Sequence, residues 1–171
     1  MFPHSIETQR LLLRPMSLDD AEACFVWCSD PVVNQFMTYP LYTCVDEVRQ
    51  WLTRMQVDGQ ILLWGIERQF DGLLIGSASL SWKPEEKAMN LGYNLRSDCW
   101  GQGYATEAAR AIIEAGRQLG YHDFIACHAV ENVGSSKVIQ RCDFLFDRHG
   151  EYAKYDGSIT FPARFYTLHL D

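Results

Sequence analysis

The period of the hydrophobic positions changes several times along the chain, and each change marks an element. Arg10-Leu11-Leu12-Leu13-Arg14-Pro15 is a short apolar run stopped by proline, which predicts a strand. Ser17-Leu18-Asp19-Asp20 then resembles a capping box, in which a serine hydroxyl and a carboxylate three residues on satisfy orphan amides at a helix start. Ala21, Cys24, Phe25 and Cys28 follow at i, i+3, i+4 and i+7, the buried face of one helix. Asp30-Pro31 ends it. Thr43-Cys44-Val45-Asp46 offers a second cap, and Val45, Val48, Leu52 and Met55 predict a second helix. Between the two, Phe36, Met37, Tyr39, Pro40 and Tyr42 show no period and predict a loop with a short helical piece. Those rings either line a substrate cleft or cover the core.

From residue 61 the pattern shortens. Ile61 to Glu67, Leu73 to Trp82 and Ala88 to Leu95, separated by turn signals at Asp71-Gly72 and Lys83-Pro84-Glu85-Glu86, predict an antiparallel meander. Tyr104 to Leu119 returns to helical spacing through Ala105, Ala108, Ala109, Ile112 and Ile113, with Gly120 placed to close the helix in a left-handed conformation. A buried strand over Phe124 to Val130, a short helix over Ser135 to Cys142 and a hairpin of Phe144 to Tyr152 with Ser158 to Leu170 complete the chain. The fold class is therefore α/β (α+β): a mixed, mostly antiparallel sheet of seven strands with flanking helices. The strand-helix-strand unit over 88 to 130 should cross right-handedly, which makes the fourth and fifth strands parallel. No linker, repeat or low-complexity tract interrupts residues 1–171, so one domain is expected.

Charge and cysteine content narrow the function. With 22 acidic against 15 basic side chains, the net charge of -7 repels nucleic acid and anionic membrane surfaces. The same charge either favours a cationic partner or simply maintains solubility. No apolar run approaches the roughly 18 to 20 residues of a membrane span, and no basic segment leads into a signal core, so a cytoplasmic protein is expected. The six cysteines include no C-x-x-C pair, and the five histidines are scattered, so no metal is expected.

One segment carries chemistry. Arg96-Ser97-Asp98-Cys99-Trp100-Gly101-Gln102-Gly103-Tyr104-Ala105-Thr106-Glu107 runs from a strand end into a helix start. Amides there lack internal partners, the helix dipole is positive, and glycine lets the backbone close on phosphate oxygens. A dinucleotide-binding loop would need glycine where Thr106 stands, and a P-loop would need Lys-Ser or Lys-Thr after the second glycine. By itself the string G-x-G-x-A fits either an anion-binding loop or a purely geometric turn.

The neighbouring residues separate those alternatives. Leu91-Gly92-Tyr93-Asn94-Leu95 followed by Trp100-Gly101-Gln102-Gly103-Tyr104-Ala105-Thr106-Glu107-Ala108 resembles the acetyl-CoA-binding motif of the GNAT superfamily, in the variant of its RimJ/RimL branch. Asn132-Val133-Gly134-Ser135-Ser136-Lys137-Val138-Ile139-Gln140-Arg141-Cys142-Asp143-Phe144 is similar to that branch's N-x-x-S-x-x-V-x-x-(K/R)-x-G-F segment, and Ile6 to Pro15 to its first strand. Asp143 replaces the last motif's glycine, a residue type that also tolerates a left-handed helix end.

The resemblance implies that strand four bulges and splays from strand five, so that pantetheine lies in the gap. The backbone of Leu95 and Arg96 would meet pantetheine. Gly101, Gln102, Gly103, Tyr104, Ala105 and Thr106 would wrap the pyrophosphate. Asn132 would bond the pantetheine arm, with Lys137 and Arg141 near the nucleotide end. Ordinary roles stand beside these: Asn132 as a helix cap, Lys137 and Arg141 as solvated charges, Arg96 in a surface pair.

The implied reaction moves an acetyl group from acetyl-CoA to a primary amine, on a protein N-terminus or a small molecule, by direct attack on the thioester. The tyrosine that many superfamily members use as acid corresponds here to Ile139, whereas Ser135 stands where the branch often places a serine near the sulfur. Ser135 is thus the catalytic candidate, as hydrogen-bond donor or general acid, with helix capping as its ordinary role. Asn90 stands where some members have a glutamate, leaving Glu67, His128 or a water chain as base, while Cys99 could form an acetyl-enzyme. The resemblance also implies a homodimer through the final hairpin. A non-catalytic acyl-CoA-binding or sensing module is the alternative.

Overall fold

A computed structural model describes residues 4–171; the first three residues of the expected domain and chain start lie outside them. The strands are β1 (Ile6–Glu7), β2 (Leu11–Pro15), β3 (Ile61–Arg68), β4 (Leu73–Lys83), β5 (Ala88–Leu95), β6 (Asp123–Ala129), β7 (Leu145–Ala153) and β8 (Thr160–His169). Among the described residues they form one sheet in the order β1-β2-β3-β4-β5-β6-β8-β7, in which only β5 and β6 run parallel. The described residues therefore form eight strands rather than seven. The extra one, β1, pairs only Ile6 and Glu7 with Leu13 and Leu12, too short for an alternation to show. The expected fourth and fifth strands are thus β5 and β6.

The helices are α1 (Ala21–Cys28), α2 (Pro31–Asn34), α3 (Val45–Val57), α4 (Tyr104–Gln118) and α5 (Val133–Arg141). The Ser17-to-Asp20 box forms, with the Ser17 amide donating to Asp20 Oδ2 at 2.8 Å, and opens one 3-10 turn ahead of α1. The cap of α3 lies one residue later than expected. Cys44 is the capping position, and Glu47, rather than Asp46, accepts from the Thr43 and Cys44 amides at 2.6 and 3.3 Å. A glutamate at the third helical position has the reach for that return bond. Gly120 closes α4 at φ +90°, and Asp143 follows α5 at φ +64°, both as expected.

Helix α4 fixes the position of the glycine-rich loop. Its buried face, Ala108, Ala109, Ile112 and Ile113, packs in one apolar cluster with Leu80, Leu91, Leu95 and Phe124 of the sheet. Burying a residue such as Ile112 is worth roughly 1.5–3 kcal/mol. Gly116 allows the close approach: a Cβ there would lie 2.8 Å from Leu80 Cδ1 and 3.0 Å from Phe124 Cε1. A second cluster joins Cys24, Trp27 and Cys28 of α1 to Val48 and Leu52 of α3, with Leu74 of the sheet.

The β5–β6 pairing is confined to Met89–Phe124 and Asn90–Ile125. Beyond it the strands part, because β6 stays in register with β8 as far as Ala129–Ala163 while β5 stays with β4 as far as Leu95–Gly76. The result is an open wedge. The bulge implied for strand four is absent from the pairing, since the β4–β5 register is unbroken from Lys83–Ala88 to Gly76–Leu95. Divergence alone makes the opening. The end of β5 is nevertheless distorted: the Asn94 carbonyl leans over Gly76, where a Cβ would lie 2.1 Å from its oxygen.

Candidate functional site

The loop between β5 and α4 ends in a row of free donors. After a 3-10 turn at Ser97–Cys99, Gly101 and Gly103 take φ +76° and +85°, a left-handed region that glycine enters without steric cost. Glu107 makes the first helical bond, its amide donating to the Gly103 carbonyl at 3.1 Å. None of the amides of Gly101, Gln102, Gly103, Tyr104, Ala105 and Thr106 donates to an acceptor among the described residues. Six successive unpaired donors at the start of a 15-residue helix give that end a positive potential, which favours negative charge.

This loop is braced from the N-terminal strands. Glu107 accepts from Thr8 Oγ1 at 2.7 Å, from the Arg10 amide at 2.9 Å and from Arg10 Nε at 2.7 Å. The Arg10 guanidinium also donates to the Gln102 carbonyl at 2.9 Å and lies 4.5 Å over the Tyr104 ring. Burial opposes ionisation of Glu107, but the Thr8 and Arg10 hydrogen bonds outweigh it and hold the carboxyl below its ordinary range. Beside the brace an open groove of about 540 Å³ is lined by Gln9, Gly103, Thr106, Glu107, Arg110 and Arg141. Arg110 Nε donates to the Arg141 carbonyl at 3.0 Å, which ties α4 to α5. Lys137 lies exposed on α5, outside the groove lining, and pairs with no carboxylate among the described residues.

Backbone direction along β5 follows from one bond. The Arg96 amide donates to the Ile75 carbonyl at 2.8 Å, so by antiparallel alternation the main-chain groups of Tyr93 and Leu95 point away from β4, into the wedge. The Leu95 carbonyl takes the Trp100 indole N–H at 3.0 Å, leaving the Leu95 amide facing the opening. Arg96 is differently placed. Its amide serves β4, its carbonyl accepts from the Cys99 amide, and its side chain pairs with Asp98 at 2.8 Å.

At the far wall, Asn132 caps α5, its Oδ1 accepting the Ser135 amide at 3.0 Å. Its side-chain NH₂ makes no bond among the described residues. The capping role considered for Ser135 therefore belongs to Asn132. Ser135 Oγ instead lies 2.8 Å from the Tyr93 hydroxyl. Continuing the register from Met89–Phe124, Tyr93 stands across the wedge from His128. His128 Nδ1 donates to the Ala129 carbonyl, which can only accept, at 2.7 Å, and Nε2 lies 3.1 Å from the Tyr166 hydroxyl. Both ring nitrogens are engaged. Glu67 is held by Arg14 at 2.8 Å, and Arg14 also binds Asp20. Burial and Asp98 push the Cys99 thiol up, which disfavours the thiolate an acetyl-enzyme would need.

The opposite face of β5 presents Asn94, whose Nδ2 donates to the Tyr39 hydroxyl at 3.3 Å while its Oδ1 accepts from Ser77 Oγ at 2.9 Å. The loop carrying Tyr39 is tied down by Lys154, whose ammonium donates to the carbonyls of Asn34 and Met37 at 3.0 and 2.9 Å. Tyr93, Arg10, Arg110 and Lys154 received no role from sequence. Arg10 lay inside a quoted motif, but its partner is 97 positions away.

The sequence model described as the acetyltransferase (GNAT) domain matches residues 10–145. The chain belongs to this family. An acetyl-CoA-dependent acetyltransferase is therefore the enzyme class, as expected. Among curated relatives, the uncharacterized N-acetyltransferase p20 of Bacillus licheniformis is 29% identical over 145 residues, covering 82% of each chain. Among solved structures, RimL, a ribosomal L7/L12 alpha-N-protein acetyltransferase in complex with coenzyme A, superposes with a TM-score of 0.84 at 22% identity over 98% of this GNAT chain and 99% of its own. The microcin C7 self-immunity acetyltransferase MccE, in complex with acetyl-CoA and AMP, gives 0.83 at 18% over 95% and 94%. At these identities the structures establish the fold. No helix of the described residues is long and apolar enough to cross a membrane.

Proposed function

We propose that this GNAT enzyme transfers the acetyl group of acetyl-CoA to a primary amine by direct attack on the thioester. The observation that carries this is the row of six unpaired amides, Gly101 to Thr106, at the start of α4. They would hold the pyrophosphate, with Arg110 and Arg141 in the adjoining groove supplying positive charge to the nucleotide end. Pantetheine would fill the β5–β6 wedge against the main chain of Tyr93 and Leu95 and the side-chain NH₂ of Asn132. RimL bound to coenzyme A and MccE bound to acetyl-CoA support this assignment of the co-substrate.

The chemistry follows from the walls of the wedge. A neutral amine attacks the carbonyl carbon from the Tyr39–Asn94 face, the carbon–nitrogen bond forms, and charge moves onto the oxygen. The Leu95 amide, free and aimed into the opening, is the donor for that oxygen. The carbon–sulfur bond then breaks with its electron pair on sulfur, near the Ser135 hydroxyl, while nitrogen gives its proton to water. The acceptor is a protein N-terminal amine, as for RimL, or a small-molecule amine, met in the cytoplasm. A homodimer through the β7–β8 hairpin goes with this proposal, and sedimentation showing only monomer would remove that part.

Calorimetry should show one acetyl-CoA bound per chain, and Ser135→Ala should slow thiol release while leaving that affinity intact. Binding with no thiol released on a broad amine panel would instead support the non-catalytic module.

A further inference from the structure

Tyr93 is the wedge side chain that the reaction above leaves without a task. It projects from β5 on the face shared with Leu91 and Leu95, and its ring packs against that core. Its hydroxyl lies 2.8 Å from Ser135 Oγ and 3.2 Å from the Ser135 carbonyl. Among the described residues Ser135 Oγ has no other hydrogen-bond partner. The Ser135 amide is already satisfied by Asn132, so the helix start needs nothing from this serine side chain.

Two hydroxyls with one proton each admit two arrangements. If tyrosine donates to the Ser135 carbonyl, the serine hydrogen is drawn to the tyrosine oxygen and none faces the wedge. If tyrosine donates to Ser135 Oγ, the serine hydrogen is free to turn into the wedge. Desolvation holds the Tyr93 phenol well above its ordinary range, so it stays a neutral donor at neutral pH. Its titratable neighbours are the Cys127 and Cys142 thiols, both also pushed up by burial.

We infer that Tyr93 is a positioning residue: by donating its O–H to Ser135 Oγ, it directs the serine hydrogen at the sulfur of departing coenzyme A. The inference rests on the transferase function proposed above. As the carbon–nitrogen bond forms and the carbon–sulfur bond breaks, the sulfur takes the electron pair and accepts the Ser135 hydrogen bond. Water then protonates the thiolate and receives the proton lost by nitrogen. Serine and tyrosine finish as they began, both protonated.

The test is a cycle of Tyr93→Phe, Ser135→Ala and the double variant. Tyr93→Phe keeps the ring, so acetyl-CoA affinity by calorimetry should stay within about twofold, while kcat falls about tenfold, the scale of one lost hydrogen bond. The double variant should be no slower than Ser135→Ala alone, because the tyrosine acts through the serine. An independent readout is the titration of the bound coenzyme A thiol, followed by thiolate ultraviolet absorption against desulfo-coenzyme A. Its pKa should rise in Tyr93→Phe as it does in Ser135→Ala. Multiplying losses in the double variant, or an unmoved thiol pKa in Tyr93→Phe, would overturn the role of Tyr93 while leaving the transferase intact. Failure of the unaltered protein to bind coenzyme A would instead bring down the function on which this role depends.

Discussion

Arg10 Nε and Glu107 Oε2 lie 2.7 Å apart, so the chain leading into β2 holds the first turn of the helix that follows the glycine-rich loop. Glu107→Gln should therefore weaken both the fold and co-substrate binding. Hydrogen bonds to charged groups are worth about 1.5–3 kcal/mol. The Arg10 side chain is 41% exposed, and solvent screening reduces the expected loss to about 1–2 kcal/mol. Urea unfolding reads that loss, and calorimetry should show acetyl-CoA affinity down about threefold to tenfold as the loop loosens.

The same carboxylate gives a pH dependence. Its folded pKa is depressed, so its stabilisation is fully present above the unfolded value of about 4.3 and disappears as pH falls through the lower folded value. Glu107→Gln should consequently lose less stability between neutral pH and pH of about 3 than the unaltered protein does. Parallel curves over that window would show that the carboxylate carries no such linkage.

Two glycines near the site should fail for different reasons. At Gly101 no atom lies within 4 Å of an added Cβ, so Gly101→Ala meets only the cost of φ +76°, about 1–2 kcal/mol, and chiefly reduces acetyl-CoA affinity. At Gly76 the added Cβ would lie 2.1 Å from the Asn94 carbonyl, a backbone atom that cannot swing aside. Gly76→Ala should cost about 3 kcal/mol or more and lower kcat as well, because the Leu95 amide moves with that strand. Equal melting temperatures for the two variants would contradict this difference.

What the sequence disclosed followed from how local each cause was. Helix α4 was bounded on both sides because its cap and its closing glycine are written beside it, Gly103 before Tyr104 and Gly120 after Leu119. The Ser17–Asp20 box and the left-handed Asp143 were legible for the same reason. The third helix was misplaced at its cap by one residue because Asp46 and Glu47 are both acidic and only geometry chooses between them. The relations that build the site are not local. Tyr93 meets Ser135 across 42 positions, and Lys154 meets Asn34 across 120. No periodicity signals such a pair. The wedge depended on strand register, which the family resemblance attributed to a bulge and the chain achieves by divergence.

Lys154 shows how one buried charge can shape the acceptor face. It is 8% exposed, and its ammonium donates to Asn34 Oδ1 at 2.9 Å and to the carbonyls of Asn34, Met37 and Tyr39. Lys154→Met would leave Asn34 Oδ1 and the Met37 carbonyl without a donor, while the Asn34 carbonyl keeps the Met37 amide and the Tyr39 carbonyl keeps Asn34 Nδ2, at about 1–3 kcal/mol for each one left unpaired. The expected outcome is a loss of about 3 kcal/mol or more, with faster hydrogen exchange confined at first to residues 34–42. The KM for the amine should rise more than that for acetyl-CoA, since the attack proposed above comes from the Tyr39 side of the wedge. Equal rises in both would place the clamp elsewhere in the mechanism.

Trp27 and Trp64 are both almost fully buried, yet their indole N–H groups differ. Trp64 Nε1 donates to the His4 carbonyl at 2.9 Å, whereas Trp27 Nε1 has no partner among the described residues. Replacing either by phenylalanine removes a ring's worth of packing, and the cavity cost is of similar kind at both sites. At Trp64 the change also forfeits a hydrogen bond worth about 0.5–1.5 kcal/mol. At Trp27 it removes an unsatisfied donor whose burial costs about 1–3 kcal/mol, which offsets part of the cavity. Trp27→Phe should therefore be the milder substitution by about 1.5 kcal/mol or more, measured as the difference in urea midpoints at constant slope. If Trp27→Phe proves as damaging as Trp64→Phe, the indole of Trp27 has a partner and packing around α1 is tighter than its neighbours suggest.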